Sequence, residues 1–241
     1  MALSTLLFDL DGTLLPLNQD AFFAGYFGAL MPTIAHLGHP QELQRAILKA
    51  TERAILDEDP NLTNEDAFKV AFRELSNVPL DAIWPYFDDF YAGAFGTLRH
   101  YSQPTDISRE ICRTAIEKGY RLAVATNPVF PESAILHRLR WAGLEDIPFA
   151  LITTMENMHF CKPNPKYYME VATKLDAAPD ECMMFGNDVQ EDGVAGNVGM
   201  ETFLVTDCLI DNGKGSFEFT EQGTWRDALD FVRRLPQAGK G

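Results

Sequence analysis

A doubly wound parallel α/β sheet, interrupted by an all-helical insert, is the fold this sequence predicts. Three observations carry it. An apolar run at the start, "LLFDLDGTLL" (residues 6–15), ends in two carboxylates and a glycine. Residues 17–102 carry helical periodicity and no convincing strand. From residue 105 onward, short apolar segments without alternation are each separated by a helical pattern, which argues for parallel strands covered on both faces.

The first segment, residues 1–15, reads as a strand of the later sheet. In the insert, "NQDAFFAGYFGALMPTIAHLG" puts Phe23, Phe27, Leu30, Ile34 and Leu37 on one helical stripe, with Asn18 as cap, a kink at Pro32 and a stop at Gly38. "ELQRAILKATERAIL" repeats the pattern through Leu43, Ile47, Ala50 and Ala54, and "TNEDAFKVAFREL" opens on a capping pair, Thr63 and Asp66, before Phe68, Phe72 and Leu75. A fourth, aromatic helix around "LDAIWPYFDDFYAG" is expected to break at Pro85. Then helices "DISREICRTAIEK", "PESAILHRLRWA", "PKYYMEVATKL" and "QEDGVAGNV" alternate with strands "YRLAVAT", "FALIT", "CMMFG" and "ETFLV", and helix "WRDALDFVRRL" precedes a polar tail. The expected division is a core of residues 1–15 and 103–241 with a helical cap of residues 16–102 lying over the C-terminal edge of the strands, where open α/β sheets bind ligands.

Composition narrows the function classes. The chain has 241 residues and a formal net charge of −15, with no Lys/Arg cluster, which disfavours nucleic acid as a partner. No apolar run approaches the roughly 18 residues that span a bilayer, and no signal-peptide pattern opens the chain. The four cysteines, Cys112, Cys161, Cys182 and Cys208, are scattered without a CxxC pair, as expected of reduced thiols in a cytoplasmic protein. His36 and His39 have no further ligand near them, and "GVAGNVG" lacks dinucleotide-loop spacing.

The strand ends carry the chemistry. The first gives Asp9 and Asp11, which project to one side of an extended chain, and Gly12 lets the backbone turn away. The second gives Thr126 and Asn127, the segment after the third gives Lys162 in "CKPNP", and the fourth gives Asp188 and Asp192 in "FGNDVQED". Such a hard, oxygen-rich set suits Mg²⁺, which uses one or two carboxylates plus waters and phosphate oxygens. Thr126 and nearby N–H groups can hold phosphate oxygens, and Lys162 can neutralise them. Together they read as a Mg²⁺-assisted phosphoryl-transfer site with a carboxylate nucleophile.

The motifs resemble those of the haloacid dehalogenase-like (HAD) hydrolase superfamily: "LLFDLDGTL", "LAVATN", "CKPNPKYY" and "MMFGNDVQED", in that order. The resemblance implies a Rossmann-like core and a helical cap between the first two motifs. It implies that Asp9 attacks phosphorus and carries an aspartyl-phosphate, while Asp11 protonates the leaving oxygen and then accepts a proton from water. Thr126 and Asn127 would bind the phosphoryl group beside Gly12 and Thr13, and Lys162 would bridge nucleophile and phosphate. Asp9, the Asp11 carbonyl and Asp188 would hold Mg²⁺, with Asp192 supporting. Where the family has Gly-Asp, this chain has Gly186–Asn187–Asp188, so either Asn187 or Asp188 stands at the metal. The implied activity is a Mg²⁺-dependent phosphatase for a small phosphorylated metabolite. A phosphomutase would share the core residues, and a catalytically silent binding subunit is disfavoured by the intact acidic pair. Asp11 also disfavours a dehalogenase or phosphonatase. Arg99, His100 and Lys49 are substrate contacts suggested by charge alone, and oligomeric state is not legible.

Overall fold

The computed structural model describes residues 3–239. Strand β1 (Thr5–Phe8) is followed by helices α1 (Gln19–Ile34), α2 (Pro40–Leu56), α3 (Asn64–Leu75) and α4 (Leu80–Ala92), then a 3₁₀ segment, Ala94–Tyr101. Next come α5 (Asp106–Glu117), β2 (Arg121–Val124), α6 (Glu132–Trp141), β3 (Leu151–Ile152) and α7 (Pro165–Lys174). The chain finishes through β4 (Cys182–Gly186), α8 (Val189–Asn197), β5 (Glu201–Val205), β6 (Glu221–Gly223) and α9 (Trp225–Arg234).

The strands form one six-stranded parallel sheet in the order β3-β2-β1-β4-β5-β6. β1 is central: Phe8 pairs with Val124 on one side and Phe185 on the other. Both of its faces are buried, which is why it reads as an unbroken apolar run. Leu6 and Phe8 join a large core shared with α5, α9 and the helical insert, whereas Leu7 joins a second core with Tyr167, Tyr168 and Val171 of α7. Strand order reverses at β1, so Asp9, the next residue, stands at the switch point of the sheet.

The helical segment differs from its expected form in three places. The buried face of α1 is Phe22, Tyr26, Leu30 and Ile34, one residue round from a stripe through Phe23 and Phe27. "FFAGYFGAL" is apolar on both candidate faces, so periodicity alone cannot choose; edge-on packing of Phe22 against Phe95, Phe130 and Trp141 decides it. Helix α4 runs unbroken through Pro85, because the missing N–H removes one bond while Ile83, Phe87 and Phe90 stay buried on either side of it. Helix α1 contains Pro32 and ends at Ile34, short of Gly38.

The caps follow the sequence: Asn18 Oδ1 accepts from the Ala21 N–H at 3.0 Å, and Thr63 Oγ1 accepts from the Asp66 N–H at 3.2 Å. The start of α3 is tied to the core, with the N–H groups of Asn64 and Glu65 donating to the carbonyls of Met158 and Met155, each at 2.8 Å. Strand β6, a polar edge strand, has no apolar signature and is not legible in the sequence. All four cysteines are unpaired; burial pushes the Cys161 thiol up, which leaves it a poor nucleophile beside Lys162.

Candidate active site

Parallel pairing delivers the ends of β1, β2 and β4 to one place. The Asp9 N–H donates to the Phe185 carbonyl at 2.8 Å and the Ala125 N–H to the Phe8 carbonyl at 2.7 Å, which sets Asp9 between Thr126 and Asn187. The chain then turns at Gly12, with φ +90°. A Cβ there would lie 2.4 Å from Asn187 Nδ2, so only glycine allows both the turn and the approach.

Lys162 is 1% exposed and enters beneath this edge. Its Nζ donates to Asp9 Oδ1 at 2.9 Å and to Asp192 Oδ1 at 2.6 Å. Burial works against the ammonium, but Asp192 and Asp9 outweigh it and hold Lys162 well above the usual lysine range. Burial likewise drives Asp9 up to about 7 against the pull of Lys162, with Asp192 and Asp11 adding to the rise. A cation arriving at this carboxylate would bring it down. Asp192 can stand so close because residue 186 is glycine: a Cβ would meet Asp192 Oδ2 at 2.0 Å.

The remaining expected residues divide. Asp9, Asp11, Thr126, Asn127, Asn187, Asp188 and Asp192 all line one cavity of about 510 Å³ between the strand ends and the helical segment, while Gly12, Thr13 and Lys162 do not. Asn127 Nδ2 donates to Glu191 Oε1 at 3.0 Å, and Asn127 Oδ1 accepts from the Lys162 N–H at 3.2 Å. Thr13 Oγ1 donates to Asn187 Oδ1 at 3.0 Å and Asn187 Nδ2 donates to the Cys208 carbonyl at 2.7 Å, so the Asn187 amide is committed at both ends. Both Asp192 oxygens are engaged too, since Oδ2 accepts from the Asp188 N–H at 3.0 Å. Asp188 caps α8 through Oδ1 alone, accepting from Gln190 and Glu191 N–H groups at 2.9 and 2.8 Å. Free oxygens therefore remain on Asp9, Asp11 and Asp188. Asp11 Oδ1 is buried without a partner.

No three of His, Cys, Asp or Glu form a ready-made metal cage among the described residues. The donor chemistry nonetheless fits Mg²⁺, which needs only one or two carboxylates beside water and substrate oxygens: the unpartnered Asp11 Oδ1 marks an anionic site still seeking a proton or a cation.

Sequence reasoning missed four contributors. Arg138 of α6, 1% exposed, sends Nη1 to Asp11 Oδ2, with its guanidinium 4.5 Å from the Phe130 ring centroid. Its Nη2 is buried and unpartnered. Thr153 Oγ1 and Tyr167 Oη donate to the Thr126 carbonyl at 2.7 and 2.9 Å, fixing that strand end, and Tyr168 Oη donates to the Glu191 carbonyl at 2.7 Å. The tyrosines were visible as "KYY" after "CKPNP", but a helix pattern does not say which one reaches a neighbouring loop.

Two expectations arise here. Arg138→Met strips Asp11 of its cation and is expected to lower stability by about 3 kcal/mol, as for breaking a largely buried pair, read as a lower urea midpoint; an unchanged midpoint would contradict it. Glu191 is held up at about 8 from 4.5, mainly by burial, with Asp192 and Asp188 opposing Lys162. Its folded pKa exceeds the unfolded one, so its contribution to stability is complete below about 4.5 and is lost as pH rises through about 8. Glu191→Gln should therefore raise the melting temperature of EDTA-treated protein more at the alkaline end of that window than at the acid end. An equal effect at both ends would show that Glu191 does not carry this dependence.

Comparison with known proteins agrees with this architecture. Residues 3–198 match the family model described as haloacid dehalogenase-like hydrolase. The chain is 22% identical over 215 residues to pyrophosphatase PpaX of Halalkalibacterium halodurans, covering 85% of this chain and 84% of that one. It is 23% identical over 212 residues to PpaX of Bacillus mycoides, covering 86% and 85%. Among solved structures, a HAD phosphatase from Thermococcus onnurineus superposes with a TM-score of 0.60 at 19% identity, over 98% of this chain and all of that one. The defluorinating L-2-haloacid dehalogenase Rha0230 superposes with a TM-score of 0.57 at 18% identity, over 97% and 95%. By the match across residues 3–198, the sheet order and the motif residues gathered at its edge, this chain belongs to the haloacid dehalogenase-like hydrolase family.

Proposed function

We propose that this hydrolase is a Mg²⁺-dependent phosphatase acting on small phosphate monoesters through an aspartyl-phosphate. The observation that carries the reading is the pairing of two differently dressed carboxylates at one cavity floor: Asp9 held by the Lys162 ammonium at 2.9 Å, and Asp11 held through one oxygen by Arg138 with the other oxygen bare. Unequal surroundings are what separate a nucleophile from an acid–base group. Asp11 also distinguishes this reading from the dehalogenase chemistry that some structural relatives carry in their names.

In this scheme an Asp9 oxygen attacks phosphorus, the P–O bond to the alcohol breaks, and Asp11 gives its proton to the departing oxygen through Oδ1. Water then attacks phosphorus as the Asp11 carboxylate takes a proton from it, the bond to Asp9 breaks, and inorganic phosphate leaves. Lys162 neutralises Asp9 and the phosphoryl oxygens, and Thr126, with its carbonyl fixed by Thr153 and Tyr167, holds the phosphoryl group. Asp9, the Asp11 carbonyl and Asp188 would hold Mg²⁺, which supplies charge neutralisation on phosphorus oxygens. Asn187 and Asp192 would support that shell through the contacts they already make. Residues 16–102 act as a cap that keeps bulk water from the intermediate. The test is phosphate release from ethyl phosphate with Mg²⁺ and with EDTA: release that needs the metal supports the reading, and metal-independent release would overturn it. Formation of a phosphate isomer instead of free phosphate would identify a mutase.

A further inference from the structure

Resting on the phosphatase reading, we infer that the leaving alcohol is neutral and carries an apolar ring, and that a second anionic group on the substrate is rejected. Away from the carboxylates, the cavity wall is made by Phe23, Phe27, Phe68, Trp84, Phe87 and Tyr91. Two further observations point to contact with a ligand at this wall. Phe23 is 46% exposed and Leu48 is 50% exposed, and both line the cavity. Phe23 also lies over Phe130 in a stacked pair at 6.4 Å, so its ring is held in place at the cavity surface. A held, half-exposed ring at the cavity surface, continuous with the buried rings of Phe68 and Phe87, gains by covering apolar surface.

Charge excludes the anionic alternatives. Arg138 is the only cationic side chain lining the cavity among the described residues, its Nη1 engaged with Asp11 and its Nη2 buried. Lys69, whose ammonium stands 4.2 Å from the Trp84 ring centroid, is matched by Glu65 at 3.0 Å. Arg99, His100 and Lys49 do not line the cavity. The acids that do line this part are Glu65, Asp88, Glu132 and Glu156. The Glu132 N–H is shared by the two Glu156 carboxylate oxygens, at 3.0 and 3.1 Å, and among the described residues Asp88 has no cation within ion-pair distance. A leaving group bearing phosphate or carboxylate would meet these carboxylates with no unpaired cation lining the cavity to receive it, and like charges repel it. Pyrophosphate, the substrate in the name of the PpaX relatives, has such a leaving group, phosphate itself.

The inference and the reading beneath it are tested separately. Turnover of ethyl phosphate with Mg²⁺ decides the phosphatase reading. Calorimetric binding of three phosphonates to Mg²⁺-loaded wild type decides the leaving group: benzylphosphonate, methylphosphonate and phosphonoacetate. Benzylphosphonate is expected to bind about 100-fold tighter than methylphosphonate, the size of effect that filling an apolar pocket gives. Phosphonoacetate is expected to bind no tighter than methylphosphonate. Phe23→Ala and Trp84→Ala should each shrink the benzyl-to-methyl ratio by about tenfold, and Asp88→Asn should improve phosphonoacetate binding relative to methylphosphonate. Equal binding of benzyl and methyl probes, or preference for phosphonoacetate, overturns the inference whatever the turnover result. So does a tighter fit of choline phosphate than of benzyl phosphate as competing ligands, since it would assign the rings and acids to a cation.

Discussion

Asp9→Asn is expected to lower turnover of any accepted phosphate ester by about 10⁴-fold or more, the scale of losing an obligatory nucleophile. The amide keeps the shape of the carboxylate and can still accept from Lys162 through its oxygen, at the place where Nζ now stands 2.9 Å from Oδ1. It cannot attack phosphorus. Because burial already holds Asp9 up at about 7, removing its charge is also expected to leave the fold intact or firmer in metal-free protein. A drop in activity with an unchanged or raised urea midpoint is therefore the anticipated pairing. Loss of both would mean the substitution acted through folding, and retained activity would remove Asp9 from the chemistry.

Lys162→Met has the opposite balance. This ammonium is the shared partner of Asp9 and Asp192, whose side chains are 11% and 2% exposed, and methionine fills the space while withdrawing the charge. Two buried carboxylates are then left facing one another with no cation, for a loss of about 3–5 kcal/mol of stability. Asp192 also holds the Asp188 N–H at 3.0 Å, so its displacement disturbs the α8 cap that sets Asp188. Turnover should fall by about 10³-fold or more even where the protein remains folded, because both the nucleophile and the transferred group lose their positive neighbour. Mg²⁺ should restore part of the melting temperature by binding the folded state alone. A variant as stable as wild type in EDTA would show that Lys162 is not the cation on which this cluster depends.

What the sequence disclosed and what it withheld have different physical sources. Asp9, Thr126 and Asp188 stand within two residues of the ends of apolar strands, and strand pairing brings them together, so a linear reading locates them. Arg138 is 127 residues from Asp11 along the chain, in "LHRLRW", where nothing local separates the buried Arg138 from exposed Arg140. The choice between Asn187 and Asp188 was open for the same reason. It depends on Thr13 and Cys208 closing both ends of the Asn187 amide, contacts made by distant segments. The α1 stripe failed where two adjacent apolar faces compete, and both contribute to the cavity, Phe22 and Tyr26 from the buried face and Phe23 and Phe27 from the other. Motifs at strand ends report reaction chemistry, whereas the insert's rings acquire meaning only once they are folded over the site.

The most direct measurement is rapid acid quench of the Mg²⁺-loaded enzyme during turnover of a radiolabelled aryl phosphate, followed by peptide mapping. The account predicts label on the peptide containing Asp9, released by hydroxylamine and absent from Asp9→Asn. Steady turnover with no label on any peptide, or label on a residue other than Asp9, would contradict it.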